Sequence, residues 1–167
     1  MVEVRLGAVR VDLQSQTPVL LLTETSGLGR TLPIFVGPPE ATAIAFAVQG
    51  VVTPRPMTHD LMQNLVDALG AELERVVITE LRDKTYFAEL HFLQRGKHVS
   101  VSARPSDAVA LAVRTGSPLF VSDDLMDAEG LMLPEDDDED EEDATPEELV
   151  GEFREFLEQV RPEDFGA

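Results

Sequence analysis

The chain contains no cysteine and no tryptophan. It can therefore build neither a disulfide framework nor a thiolate metal site, and it offers no sulfur nucleophile. A reducing compartment fits that composition. Aromatic residues make up only 5% of the sequence, too few for the interleaved basic and aromatic surface on which single strands stack. No stretch approaches the roughly 18 consecutive apolar residues that a membrane-spanning helix needs. Met1 to Leu13 alternate apolar with polar, unlike the basic-then-apolar order of a secretory signal. The expectation is a soluble, cytoplasmic protein with no membrane partner. The G-x-x-x-x-G-K-[ST] and G-x-G-x-x-G loops are absent, as is a G-x-S-x-G elbow, which disfavours nucleotide hydrolysis, dinucleotide binding and a serine hydrolase.

What the chain has in excess is acid. Of 167 residues, 32 are Asp or Glu and 13 are Lys or Arg. The imbalance is local: residues 1–122 hold 11 basic and 12 acidic side chains, whereas residues 123–167 hold 2 and 20. The body is thus nearly neutral, and nucleic acid would reach it only through a local cationic patch or a divalent cation. Hydrophobic residues at 43% suffice for one sizeable core. The division that follows is a domain over 1–125, an acidic linker over 126–144 and a terminal amphipathic helix over 145–167.

Val2, Val4 and Leu6 share one strand parity and Val9, Val11 and Leu13 the other, so a β-bulge is expected near Gly7. Pro18–Thr23 and Thr31–Val36 read as two more strands of a meander. Gly37-Pro38-Pro39 opens an alanine-rich helix ended by Gly50, and Thr58 is expected to cap an amphipathic helix bearing Leu61, Met62, Leu65, Val66 and Leu69. Leu73–Leu81 and Tyr86–Phe92 suggest a hairpin around Asp83-Lys84, followed by a strand through Val99, Val101 and Ala103. A second alanine-rich helix starts at Pro105 and ends at Gly116, and Pro118–Ser122 reads as a short closing strand. The fold class is α/β in the mixed, α+β sense: mainly antiparallel strands, two alanine-rich buried helices, an amphipathic helix and an appended C-terminal helix. Pro38, Glu40, Ala41, Ala43 and Ala45 recur as Pro105, Asp107, Ala108, Ala110 and Ala112 at an offset of 67. That match reads either as an internal duplication or as two helices that both need small residues for close packing.

Polar clusters stand out at the helix starts. Glu40, Asp60 and Asp107 each lie in a first turn, where a carboxylate is favoured by unpaired N–H groups whatever its other duties. His59 beside Asp60 has the makings of a general base or a ligand. His91 and His98 lie in strands without ligand spacing, so zinc is not expected. Arg104-Pro105-Ser106-Asp107 brings a guanidinium, a hydroxyl and a helix N-terminus together, a combination suited to phosphate, with Arg55 and Arg114 as extensions of that patch. The bland reading makes Ser106 an N-cap and pairs Arg104 with Asp107 or Glu40.

Three ordered motifs carry a resemblance: Leu32 to Ala41 (LPIFVGPPEA), Arg55 to Leu61 (RPMTHDL) and Ala103 to Ala108 (ARPSDA). In these the chain closely resembles the bacterial and plant bifunctional nuclease domain family over about residues 1–125. The resemblance implies a compact α/β domain acting as a nuclease, a hydrolase of DNA and RNA, assisted by Mg2+ or Mn2+ and with no organic cofactor. It implies Asp60 and Asp107 as metal ligands, Glu40 as third ligand or base, His59 as the group that orients or deprotonates water, and Arg104 as the phosphate contact. The alternative is a regulatory module that binds protein or nucleic acid without turnover. In the acidic tail, Glu135 to Asp143 is an unbroken acidic run, and Thr145-Pro146-Glu147-Glu148 begins a helix with Leu149, Phe153, Phe156, Leu157 and Val160 on one stripe. That tail reads either as a solubilising charge run or as a polyanionic arm for a basic protein partner or the body's own cationic patch, and a homo-oligomer is compatible with the exposed face of a small sheet.

Overall fold

The computed structural model describes residues 1–12 and 15–132; the acidic run and the stripe beyond Thr145 lie outside them. The described chain forms one seven-stranded sheet with four helices. Its elements are β1 (Val2–Asp12), β2 (Thr17–Glu24), β3 (Thr31–Phe35), α1 (Pro38–Val48), α2 (Thr58–Ala68), β4 (Ala71–Arg82), β5 (Thr85–Gln94), β6 (Lys97–Ala103), α3 (Pro105–Thr115), β7 (Leu119–Val121) and α4 (Asp123–Glu129). The strand order is β3-β2-β1-β7-β4-β5-β6. All neighbours are antiparallel except β4 and β7. The mixed, mainly antiparallel class expected from the sequence is the one observed.

The sheet contains two copies of one plan. β1-β2-β3-α1 and β4-β5-β6-α3 are each a three-strand meander followed by an alanine-rich helix, with β7 wedged between the halves. The register of β1 on β2 slips between Leu6 and Ala8, the bulge that the parity change at Gly7 requires. Asp83 and Lys84 both have positive φ, 50° and 62°, as a two-residue turn must when its twist matches the strands it joins.

α1 packs over β1 and β2, α3 over β4 and β5, and the two helices pack on each other. Ala41, Ala45, Ala108 and Ala112 are all 4% exposed or less, so small side chains let the helices approach the sheet and each other closely. Leu20, Leu22, Leu32, Ile44, Ile78 and Leu111 are essentially fully buried, each contributing about 1.5–3 kcal/mol relative to exposure.

Two local outcomes differ from the sequence reading. Met57, not Thr58, occupies the N-cap of α2, because the Asp60 carboxylate reaches back to accept the Met57 N–H at 2.9 Å. The apolar stripe of α2 is also only partly covered: Met62 packs on the core, but Leu61, Leu65 and Leu69 are 51%, 53% and 63% exposed. α2 touches only α3 and β4 substantially, so one flank is left without a neighbour among the described residues.

α4 has no counterpart in the sequence reading. Ser122 caps it by accepting the Leu125 N–H and also donates to the Thr79 carbonyl at 2.7 Å. Leu125 and Met126 are buried, and backbone bonds between Thr31 and Leu131 hold the following residues on β3. Arg30 ties this end together, donating to Glu24 and Asp127.

Candidate active site at three helix starts

α1, α2 and α3 each follow an extended residue, Gly37, Met57 and Arg104, that turns the chain from strand or loop into helix. Proline at the start of α1 and α3 favours that turn, since it needs no N–H there and presets φ. The sheet plan brings these helix starts together, so residues 64 positions apart in sequence become neighbours.

Arg104 is the centre of the resulting cluster. Its Nε donates to Asp107 Oδ2 at 2.7 Å and its Nη2 to Asp107 Oδ1 at 3.0 Å. Nη2 also donates to Glu40 Oε1 at 2.9 Å. His59 Nε2 lies 3.0 Å from Asp107 Oδ1, and with the carboxylate ionised the imidazole is the donor in that bond, which leaves Nδ1 as the ring's acceptor. Glu40, His59, Arg104 and Asp107 therefore form one connected group from three separate sequence motifs. Their side chains are graded in exposure: His59 8%, Glu40 19%, Asp107 25% and Arg104 65%. The guanidinium faces water over a largely buried acid and imidazole layer.

The electrostatics follow from that layering. Burial pushes the Asp107 carboxyl up, but the Arg104 and His59 hydrogen bonds outweigh it and hold the group below its ordinary range. Arg104 is held more firmly protonated than usual, chiefly by its hydrogen bond to Asp107 and then by Glu40. With two carboxylates to one guanidinium, the cluster carries one excess negative charge when His59 is neutral.

Asp60 does not join the cluster. Its Oδ1 accepts from Arg114 Nε at 2.6 Å, and Arg114, 7% exposed, spends its other donors on the Ala110 and Ala43 carbonyls. The hydrogen bond from Arg114 is the main reason that the Asp60 carboxyl lies below its ordinary range. Arg114 is thus a buried clasp joining α1, α2 and α3, not the surface extension of a phosphate patch. Sequence spacing could not reveal it, because an arginine in a last helical turn reads as dipole compensation. Ser106 is the second residue of α3, makes no cap hydrogen bond and is 7% exposed. Arg55 is exposed in the connection before α2, and no ion pair joins it to the cluster. Of the three first-turn acids, Asp60 caps its own helix; Glu40 and Asp107 turn to Arg104.

A resident divalent cation needs several oxygen donors free to converge on it. Here Glu40 and Asp107 are taken up by Arg104, and Asp60 by Arg114. Among the described residues no group of three or more His, Asp or Glu side chains is placed to hold a metal. As arranged, these residues do not fit Mg2+ or Mn2+. Nor is any described helix long and apolar enough to cross a membrane.

Comparison with known sequences agrees with the motifs. The bifunctional nuclease domain matches residues 20–134, a span that contains every member of the cluster. An uncharacterized protein of Mycobacterium tuberculosis is 46% identical over 165 residues, covering 99% of this chain and 98% of that one. Bifunctional nuclease 1 of Arabidopsis thaliana is 31% identical over 121 residues, which is 71% of this chain and 37% of the plant protein. Bifunctional nuclease 2 of the same plant is 32% identical over 117 residues, 68% of this chain and 36% of its own length. The chain therefore spans little more than a third of these plant relatives. It belongs to the bifunctional nuclease domain family.

Proposed function

We propose that this protein is a nuclease that hydrolyses phosphodiester bonds of DNA and RNA at the Arg104 cluster. The observation that carries the reading is the convergence of Glu40, His59, Arg104 and Asp107 on one exposed guanidinium at the N-termini of α1 and α3. Arg104 would bind a non-bridging phosphate oxygen and stabilise the charge that grows there in the transition state, an effect of about 100- to 1,000-fold for a well-placed donor. The N-termini of α1 and α3 add a favourable field for an anion. Asp107 fixes the His59 ring so that its other nitrogen can take a proton from the attacking water. As water adds to phosphorus, the bond to the leaving nucleoside oxygen breaks and that oxygen is protonated by solvent. Glu40 holds the second face of the guanidinium until substrate displaces it. Asp60, held by Arg114, serves the fold.

The test is turnover of single-stranded DNA and RNA by the purified full chain, measured in chelator and again with Mg2+ or Mn2+. Asp107→Asn and Arg104→Gln are each expected to lower turnover at least about 100-fold. Unchanged turnover in both variants would remove this reading.

One observation favours a second reading. Arg104 neutralises both carboxylates and links the start of α1 to that of α3, so the same contacts act as a clasp in a regulatory module without turnover. In that case the wild-type chain binds nucleic acid or protein without cleaving it, and the variants change melting temperature alone.

A further inference from the structure

The four described helices pack on one face of the sheet. The core cluster takes Val4, Leu20, Val76 and Ile78 from the strands and Ile44, Val109 and Met126 from α1, α3 and α4, with Met62 of α2 against it. Side chains alternate along a strand, so Arg10, Val19, Arg75, Val77 and Phe120, each next to a core residue, point to the second face. No described helix lies over that face, and an antiparallel sheet so placed is normally wet on its open side. Yet Val77 is 5% exposed and Val19 9%, and the Nε atoms of Arg10 and Arg75 are buried. Burial of that degree calls for a cover that the described elements do not supply.

We propose that the apolar stripe beyond Thr145 of this same chain docks on the second face of the sheet, with Leu149, Phe153, Phe156, Leu157 and Val160 against Val77 and Phe120. An amphipathic helix needs its apolar side covered, and this one is within reach. Leu131 pairs with Thr31 beside β3, at one edge of the sheet. From there residues 133–144 span roughly 40 Å when extended, against about 29 Å for seven strands ~4.8 Å apart. Charge matches as well. At 100° per residue, Glu148 and Glu152 border the stripe on one side, and Arg154 and Arg161 on the other. On the sheet, Val4, Leu119 and Val76 are partners, which puts Arg5 and Arg75 in one row of the second face. Glu3, Phe120, Val77 and Glu89 form the next row. The acidic border of the stripe thus suits the arginines and the basic border the two glutamates. Docked there, the stripe holds the acidic run 135–143 beside the second face, across the sheet from the starts of α1 and α3 that carry the Arg104 cluster.

A nitroxide on Glu158→Cys tests this in the full chain, which has no cysteine of its own. Glu158 falls opposite the stripe, so the label leaves the contact intact. The amide signals of Arg75, Val77 and Phe120 are expected to broaden several-fold more than those of Leu61 and Leu65 on α2, the other apolar surface open to the segment. Adding Phe153→Asp and Phe156→Asp should abolish that broadening while the signals of α1 and α3 stay in place. Broadening at Leu61 and Leu65 instead, or at no strand, overturns the proposal. So does equal broadening when spin-labelled chain is mixed with separate isotope-labelled chain, since a second copy then supplies the segment. Thiol labelling of Val77→Cys gives an independent reading: slow in the otherwise unaltered chain, and at least about 10-fold faster with Phe153→Asp and Phe156→Asp present. Equal labelling rates contradict the cover.

Discussion

Asp107 serves two partners, accepting from Arg104 with both oxygens and from His59 with one. Replacing it by Asn removes the charge that holds Arg104 and swaps one acceptor for a donor facing His59. Asp60 makes an equally short contact with a different consequence. Asp60→Asn leaves Arg114 buried without its counter-charge, at a cost of about 1–3 kcal/mol, between the exposed-pair and buried-pair ranges because Asp60 is 35% exposed. Urea denaturation at neutral pH measures that loss, and turnover by the variant is expected to stay near wild type. The sign of the pH dependence follows from the lowered carboxyls of Asp60 and Asp107. Their contribution is full above the ordinary carboxylate pKa of about 4 and disappears as pH falls through their lowered folded values. Asp60→Asn should therefore lose less stability than wild type between pH 5 and pH 2, which denaturant melts at several pH values would show. The motifs name Glu40, His59, Arg104 and Asp107 as candidates, and the structure brings these four side chains into contact. They could not separate Asp60 from them, because adjacent residues on a helix point about 100° apart and only the position of Arg114 decides where each goes.

Two glycines connect the elements to the site and to the core. A Cβ at Gly37 would meet Glu40 Oε2 at 2.5 Å, the mobile end of a long side chain. Gly37→Ala is expected to swing Glu40 off Arg104 with little change in melting temperature, and a several-fold change in turnover or substrate affinity would register it. At Gly130 a Cβ would run into the Met126 carbonyl and sulfur, which sit in the buried turn of α4. Gly130→Ala is expected to destabilise the protein by about 1–3 kcal/mol, the range for overpacking, read as a lower midpoint in chemical denaturation. Elements with strong periodicity or turn chemistry, such as the β4–β5 hairpin and the bulge at Gly7, were evident from residue order alone. β7 reads as a short strand in the sequence, but its place between β1 and β4 depends on long-range pairing that no local pattern encodes. α4 is not legible in the sequence because its Asp123, Asp124 and Asp127 read as the beginning of an acidic tail, whereas Leu125 and Met126 supply the face that packs.

At the scale of the molecule, the repeated meander-and-helix plan explains why a site forms at all. Each half delivers one alanine-rich helix whose start carries an acid, Glu40 in one and Asp107 in the other, and the packing of α1 against α3 sets both within reach of Arg104. The offset of 67 residues seen in sequence is thus matched by two equivalent units in space. The described residues hold 16 acidic and 11 basic side chains, so binding of a polyanion must rely on this local cation. The most direct measurement is cleavage of single-stranded DNA and RNA by the purified full chain, comparing wild type, Asp107→Asn and Asp60→Asn under identical ionic conditions. The expected result is turnover in wild type, near-wild-type turnover in Asp60→Asn and a loss of at least about 100-fold in Asp107→Asn. Equal activity in all three, or a greater loss in Asp60→Asn than in Asp107→Asn at equal folded fraction, would contradict the placement of the chemistry at Arg104.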